Sequence, residues 1–167
     1  MYANVVDALF YGLPPHGAAV LRFNFRGTSG SEGRHDHGRA EQVDALAAVE
    51  ELGRRWPGLP LLLAGYSFGA DVALAVSHPS ISAWLAVAPP LRIVDPAEMT
   101  ALTDPRPTFV VAAADDQFRP YAELTEILDG AVATSITAVP GADHFFVTGL
   151  DQVLVAAVAA LGSLAGG

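Results

Sequence analysis

Short apolar runs recur along the chain, and each of them ends in residues that favour turns. The runs are rich in Val, Leu and Phe, as expected for strands that are buried on both faces of a sheet. They predict five strands, at Ala19–Phe25, Leu61–Ala64, Ser82–Val87, Phe109–Ala113 and Ser135–Val139.

The segments between these runs have a helical pattern. Apolar residues at every third or fourth position predict helices at Arg39–Trp56, Phe68–Ser77 and Tyr121–Leu128, and the apolar tail Val153–Leu161 predicts a packed terminal helix. Strands that alternate with helices form a parallel sheet covered on both faces. The sequence therefore predicts an α/β fold: a three-layer αβα sandwich around a mostly parallel sheet, folded as one domain over residues 1–167.

The composition of the chain excludes several classes of function. Hydrophobic residues make up 51% of the 167 residues and charged residues only 16%, which excludes a disordered chain. A net charge of −9 disfavours nucleic acid and anionic membranes as partners, because both attract clustered Lys and Arg. The absence of Lys and Cys excludes a lysine phosphate loop, disulfides and a thiolate nucleophile. The first residues lack a basic segment typical of signal peptides, so we expect a cytoplasmic protein.

The segment AGYSFGAD, residues 64–71, interrupts the most hydrophobic part of the chain. It joins a predicted strand to a predicted helix, which would place Ser67 at the apex of a tight turn. Gly65 and Gly69 would leave room for that turn, and the Phe68 amide would point from the helix N-terminus toward a developing oxyanion. A small-residue corner can also serve packing alone, but this context favours the Gly-x-Ser-x-Gly nucleophile elbow.

A serine nucleophile needs a base to take its proton and a carboxylate to orient that base. In an elbow scaffold the acid and then the histidine follow the serine along the chain, each just beyond a strand end. Asp115 and Asp116 follow one predicted strand, and His144 follows the next. Either feature alone would be typical of a surface turn. Their order and positions together predict a Ser-His-Asp triad, with either aspartate as the acid.

Three segments carry a resemblance to a known family: LRFNFRGTSGSEG at 21–33, LLLAGYSFGADVALA at 61–75 and PGADHFF at 140–146. Together they resemble the α/β-hydrolase superfamily, in particular its small, capless members related to dienelactone hydrolases and esterases. The similarity extends over nearly the whole chain.

The resemblance implies roles for individual residues. It makes Ser67 the nucleophile, His144 the base and Asp116 the acid, since the family usually places the acid four residues before a proline; Asp115 remains the alternative. Dienelactone hydrolases resemble this scaffold but use a cysteine nucleophile, which this chain lacks, so an ester substrate is favoured.

The resemblance also sets an expectation for the beginning of the chain. In the family, strands and a loop rich in His, Pro and Gly precede the helix that ANVVDALF matches, and that loop provides the second oxyanion-hole amide. A further strand lies between those matched by Ala19–Phe25 and Leu61–Ala64. We therefore expect Met1 to be an internal start, and we expect the loss of an interior strand to favour rearrangement or association into a homo-oligomer.

Two other motifs are not predicted to bind a ligand. The glycine spacing in Gly27–Gly33 does not fit a dinucleotide fingerprint, so we interpret this segment as a flexible loop at the mouth of the site. His35 and His37 lie one residue apart with no further ligand cluster, which favours a solvated loop over a metal site. Neither a cofactor nor a metal is predicted.

The function that the sequence predicts is hydrolysis of a carboxylic ester through an acyl-enzyme, with a small-molecule ester as the partner. The segment Ala88–Arg106 is too short for a separate lid domain, and an open site favours small or short-chain acyl groups. A thioesterase, peptidase or acyltransferase would use the same residues. The competing hypothesis is a truncated or degenerate hydrolase that acts as a binding or assembly subunit.

Overall fold

Helices and strands alternate along most of the chain. The computed structural model describes residues 4–164. Its elements are helices α1 (Asn4–Gly12), α2 (Glu41–Arg55), α3 (Phe68–Ala75), α4 (Tyr121–Ile127) and α5 (Leu150–Leu164), and strands β1 (Leu61–Tyr66), β2 (Ile81–Val87), β3 (Thr108–Ala113) and β4 (Thr134–Val139). Single 3₁₀ turns lie at Pro14–His16, Pro96–Glu98 and Thr100–Leu102.

The four strands form one parallel sheet in the order β1-β2-β3-β4. Helix α3 connects β1 to β2, and α4 connects β3 to β4. All carboxyl ends of the strands therefore meet at one edge of the sheet, where ligands bind in folds of this kind. The predicted α/β class and parallel sheet are confirmed.

Strand β2 shows how the sheet acquires a helical layer on each face. Trp84 and Ala86 pack in the core beneath α2 and α3. Leu85 and Val87 point to the opposite face and pack with residues of α1 and α5. All four side chains are fully buried, because a strand between two helical layers has no solvent-facing side. The predicted αβα sandwich is confirmed.

The predicted strand at Ala19–Phe25 is wrong, since the structure has no strand there. A strand needs a neighbour for its ladder of hydrogen bonds, and within residues 4–164 no backbone hydrogen bond joins residues 19–24 to the sheet. Strand β1 is thus an edge strand, and Ala64 on it is exposed. A side-chain contact instead holds Arg26, the residue that follows the predicted strand. Its guanidinium donates to Asp44 of α2, with Nη2 2.7 Å from Oδ1.

The other predicted elements form, with shifted ends. Helix α3 ends at Ala75, two residues before the predicted Ser77, because Val76 adopts an extended conformation. The Val76 carbonyl accepts the indole N–H of the buried Trp84 at 3.0 Å, which satisfies both groups at the helix end. Among residues 4–164, no helix is both long and apolar enough to cross a bilayer.

Candidate active site

Ser67 lies at the turn between β1 and α3, in a backbone conformation that residues other than glycine rarely adopt. Its φ is 51° and its ψ −120°. Hydrogen bonds hold it there: its N–H donates to the Val87 carbonyl at 2.9 Å, and its own carbonyl accepts from Ala70 N–H at 2.8 Å. A strained residue held by its surroundings is typical of a functional position. The turn presents the Ser67 hydroxyl at the carboxyl edge of the sheet.

The two glycines of the elbow differ in how strictly the turn needs them. A Cβ on Gly65 would lie 2.1 Å from the Gly69 carbonyl oxygen and 2.7 Å from the Ala70 Cα. Both are backbone atoms, so the start of α3 would have to move. A Cβ on Gly69 would meet only the Phe25 ring, at an ordinary contact distance of 3.7 Å. The close approach of strand and helix therefore requires glycine at position 65 alone.

The different surroundings of Gly65 and Gly69 predict that alanine will affect stability unequally at the two positions. Gly65→Ala is expected to lower the free energy of unfolding by about 3 kcal/mol, as overpacking against rigid backbone does. Gly69→Ala is the matched control, and we expect a change within about 1 kcal/mol, since alanine suits a first helical turn. Urea unfolding of both variants measures the difference. Equal stabilities would show that the elbow tolerates a side chain at position 65.

Three predicted site residues are joined by two successive contacts of hydrogen-bond length, with the histidine in the middle. Ser67 Oγ lies 2.8 Å from His144 Nε2, and His144 Nδ1 lies 2.8 Å from Asp116 Oδ2. Asp116 and His144 are only 6% and 5% exposed. Asp115 is exposed at the surface, and its N–H donates to the Ala142 carbonyl. Of the two aspartates that the sequence left open, the structure places Asp116 against the histidine.

The Asp116 carboxylate is held in its charged form. Burial raises its pKa, but the hydrogen bond with His144 and the backbone N–H groups of Arg119 and Phe118 outweigh burial, so the pKa lies below its ordinary value. Oδ1 accepts the Phe118 N–H at 2.7 Å and the Arg119 N–H at 3.0 Å. A carboxylate can only accept hydrogen bonds, so His144 Nδ1 must carry a proton. In neutral His144, Nε2 is then free to accept the Ser67 proton.

Further contacts fix the backbone and ring of His144. The Tyr66 hydroxyl donates to the His144 carbonyl at 2.9 Å, and Gln117 Oε1 accepts the His144 N–H at 3.3 Å. Burial raises the pKa of Tyr66, so this hydroxyl remains a donor at neutral pH. The Phe118 ring packs edge-on against the imidazole, with centroids 4.8 Å apart. These residues could not be predicted from the sequence, because no local pattern signals a contact between Tyr66 and a carbonyl 78 residues away.

The Phe68 amide begins helix α3, where the first N–H groups have no partner within the helix. The helix dipole adds positive potential at this end. The Phe68 ring packs against Phe25 and His35, with centroids 5.6 and 5.1 Å apart. His35 Nδ1 in turn lies 2.8 Å from the buried carboxylate of Glu41. The loop that carries His35 therefore lies against the residue that follows the candidate nucleophile.

His35 and His37 lie with their ring centroids 4.9 Å apart. In the part of the chain that the structure describes, no three His, Asp or Glu side chains are grouped closely enough to hold a metal ion. Glu41 contributes its carboxylate to the loop itself, accepting the backbone N–H groups of Asp36 and Gly38 at 2.8 and 2.9 Å. These contacts to Glu41 indicate a structural role for the loop that carries the two histidines.

A third buried carboxylate lies on the helix that begins at the Ser67 turn. Asp71 on α3 is fully buried and accepts the N–H groups of Leu91, Arg92 and Ile93, each at 2.9 Å. Burial raises its pKa, and these three bonds oppose that effect. Asp71 thereby ties the loop after β2 to the helix that begins at the elbow. The sequence indicates no role for Asp71, because an acid within an apolar helical run carries no signal for loop contacts.

The sequence profile of the hydrolase family described as "Serine aminopeptidase, S33" matches residues 1–139. The chain belongs to this family. The predicted resemblance to the α/β-hydrolase superfamily is therefore confirmed.

The chain also has relatives among individual proteins and solved structures. An uncharacterized protein of Rickettsia prowazekii is 33% identical over 156 residues, which cover 87% of this chain and 66% of the relative. An α/β serine hydrolase homologue from Coxiella burnetii matches with a TM-score of 0.80 and 27% identity, over 96% of this chain and 76% of that one. A lid-less α/β serine hydrolase from Xanthomonas campestris matches with a TM-score of 0.79 and 28% identity, over 98% and 72%. The chain spans just under two thirds of the Rickettsia protein's length.

Proposed function

We propose that this chain hydrolyses a carboxylic ester through a covalent acyl-enzyme. One observation carries the proposal: the unbroken hydrogen-bonded series from Ser67 Oγ through His144 to Asp116, with both contacts at 2.8 Å. A buried carboxylate, an oriented imidazole and an accessible hydroxyl at a helix N-terminus are the groups that acyl transfer needs.

The first half of the reaction forms the acyl-enzyme. Ser67 Oγ attacks the ester carbonyl while His144 Nε2 takes the hydroxyl proton, and the carbonyl oxygen becomes an oxyanion that the Phe68 N–H stabilises. Asp116 stabilises the imidazolium without itself taking a proton. Collapse of the tetrahedral intermediate breaks the bond to the alcohol oxygen, and His144 gives its proton to that oxygen. The alcohol leaves, and Ser67 carries the acyl group.

The second half returns the enzyme to its starting state. Water replaces the alcohol, and His144 takes one of its protons as the water oxygen attacks the acyl carbonyl. Collapse of the second tetrahedral intermediate breaks the bond to Ser67 Oγ, which recovers its proton from His144. The products are one alcohol and one carboxylic acid, and no external oxidant, reductant or cofactor enters the balance.

Aminopeptidase substrates are a second class, which the family description suggests. An aminopeptidase must bind a positively charged α-amino group near its nucleophile, which calls for an available carboxylate. Asp116 and Asp71 are occupied by His144 and by backbone N–H groups, whereas Asp115 beside the triad is exposed. Parallel assays with p-nitrophenyl acetate and amino-acid p-nitroanilides separate the two classes.

A fluorophosphonate probe tests the proposed nucleophile directly. An activated serine displaces fluoride from phosphorus, and the stable adduct resembles the tetrahedral intermediate. We expect one adduct per chain, mapped by peptide mass spectrometry to Ser67. The chain unfolded in urea serves as the control and should stay unlabelled, because its Ser67 has no base. A folded chain that remains unlabelled and inactive on esters would contradict the proposal and favour the binding or assembly subunit.

A further inference from the structure

Two exposed phenylalanines flank the buried histidine of the candidate triad. Phe118 is 41% and Phe145 44% exposed, whereas His144 between them is only 5% exposed. Their ring centroids lie 4.8 and 5.6 Å from that of the imidazole, and 5.8 Å from each other. All three pairs meet edge to face. The histidine therefore lies beside a small apolar surface that is open to solvent.

Both rings are attached to well-fixed backbone. Phe118 donates its N–H to Asp116 Oδ1 at 2.7 Å, so the carboxylate that orients the histidine also holds this residue. Phe145 lies between His144 and the fully buried Phe146, whose φ of 48° is held by core packing. The nearby Arg119 is paired with Glu123, at 2.8 Å between Nη1 and Oε2. Rings held in this way present a preorganised surface, and the neighbouring cation is already partnered.

The chemistry of the proposed reaction determines what this surface would contact. His144 Nε2 must come within hydrogen-bonding reach of the alcohol oxygen in order to protonate it. The substituent on that oxygen then extends over the surroundings of the imidazole, where Phe118 and Phe145 lie. The acyl substituent lies on the other side of the carbonyl carbon.

From this geometry we infer that Phe118 and Phe145 form a leaving-group subsite that selects esters of neutral aromatic alcohols. The inference rests on the proposed esterase function and adds the class of alcohol. An aromatic alcohol covers the exposed faces of both rings and makes aromatic contacts with them, which a methyl or ethyl group cannot do. The two phenylalanines are then specificity-determining residues.

Two isomeric esters test the inference. Benzyl acetate carries its ring on the alcohol, and methyl phenylacetate carries the same ring on the acyl group. We expect the unmodified chain to have at least about tenfold higher kcat/KM for benzyl acetate, an effect the size of one or two aromatic contacts. Phe118→Ala and Phe145→Ala should each lower the ratio of the two kcat/KM values about three- to tenfold. Because both substrates use the same triad, damage to the triad cancels in this ratio.

Control variants separate the subsite from other effects. Trp56→Ala removes an aromatic side chain of similar exposure, 42%, at the end of α2, and should leave the ratio unchanged. Phe118→Leu keeps apolar volume without the ring and secures a folded comparison. Fluorophosphonate labelling of each variant reports on the nucleophile independently of the alcohol.

The possible results distinguish this inference from the function on which it rests. Labelled Ser67 with no turnover of benzyl acetate, or a ratio that the phenylalanine variants leave unchanged, would overturn the subsite alone. A folded chain with neither labelling nor ester turnover would overturn the subsite together with the proposed function.

Discussion

A Ser67→Ala variant is expected to hydrolyse esters about 10⁶-fold more slowly than the unmodified chain, as removal of a triad serine does elsewhere. The substitution removes the oxygen that would carry the acyl group and leaves His144 Nε2 without its partner at 2.8 Å. Alanine and serine both carry a Cβ, so the strain at a φ of 51° is the same in both. Initial rates with p-nitrophenyl acetate, measured on protein whose fold is verified by circular dichroism, give the ratio.

The matched control for this experiment is Ser135→Ala. Ser135 is an exposed serine on β4, and its hydroxyl takes no part in the triad. We expect this variant to keep full activity and labelling. Ester turnover by Ser67→Ala at more than a few per cent of the unmodified rate would mean that another group is the nucleophile. If the chain is instead a binding subunit, Ser67→Ala should retain its partner.

An Asp116→Asn variant is expected to lose about 10⁴-fold in kcat, the loss found when a triad aspartate becomes an amide. The amide can donate its own N–H to His144 Nδ1, which favours the imidazole tautomer with its proton on Nε2. That tautomer cannot accept the Ser67 proton. The effect belongs to kcat more than to KM, because the substrate does not contact Asp116.

Asp115→Asn is the control for this second prediction, since it makes the same chemical change one residue away. Asp115 is exposed and its backbone N–H donates to the Ala142 carbonyl, so we expect near-normal kcat. The reverse pattern, with activity lost in Asp115→Asn and kept in Asp116→Asn, would reassign the acid. The two variants thus settle an alternative that the sequence left open.

Stability against pH provides a second readout for Asp116. The folded pKa lies below the ordinary value of 3.8, so the charged carboxylate stabilises the fold above that value. This contribution disappears as the pH falls through the lowered pKa. We therefore expect Asp116→Asn to unfold at lower urea concentration than the unmodified chain at pH 7, with the difference shrinking below pH 3.8.

Much of the fold follows from the sequence because the chain alternates buried strands with amphipathic helices. Ser82–Val87 is so apolar that only the middle layer of a sandwich accommodates it, while Leu61–Ala64 lies in the same layer at the edge of the sheet. Ala19–Phe25 has the same character but forms no strand, because a strand exists only with a partner for its backbone groups. The composition of a segment shows whether the segment could form a strand of a sheet. Which strands would pair with it depends on the fold of the whole chain.

The proximity of Ser67, Asp116 and His144 was predictable, because Gly65 and the strand ends fix where their side chains emerge. The choice between Asp115 and Asp116 was not predictable from the residues alone, since it depends on which side of the turn after β3 faces the histidine. Two further features were also not predicted. They are the hydrogen bond from Tyr66 to His144 and the packing of the Phe118 and Phe145 rings against the imidazole. The contacts of Tyr66 and Phe118 with His144 join residues at the ends of different strands, and no periodicity connects them.

The parallel register of the sheet has a consequence for the newly made chain. Ser67 and His144 are 77 residues apart, and His144 and Asp116 are 28 residues apart. They meet only when β1 has joined the sheet and β3 and β4 are aligned, with Ala113 opposite Val139. Contacts at such separations form late in folding, because a long loop must close first. Until β4 is in place the Ser67 hydroxyl has no histidine beside it, so under the proposed function an incompletely folded chain would carry no activated nucleophile.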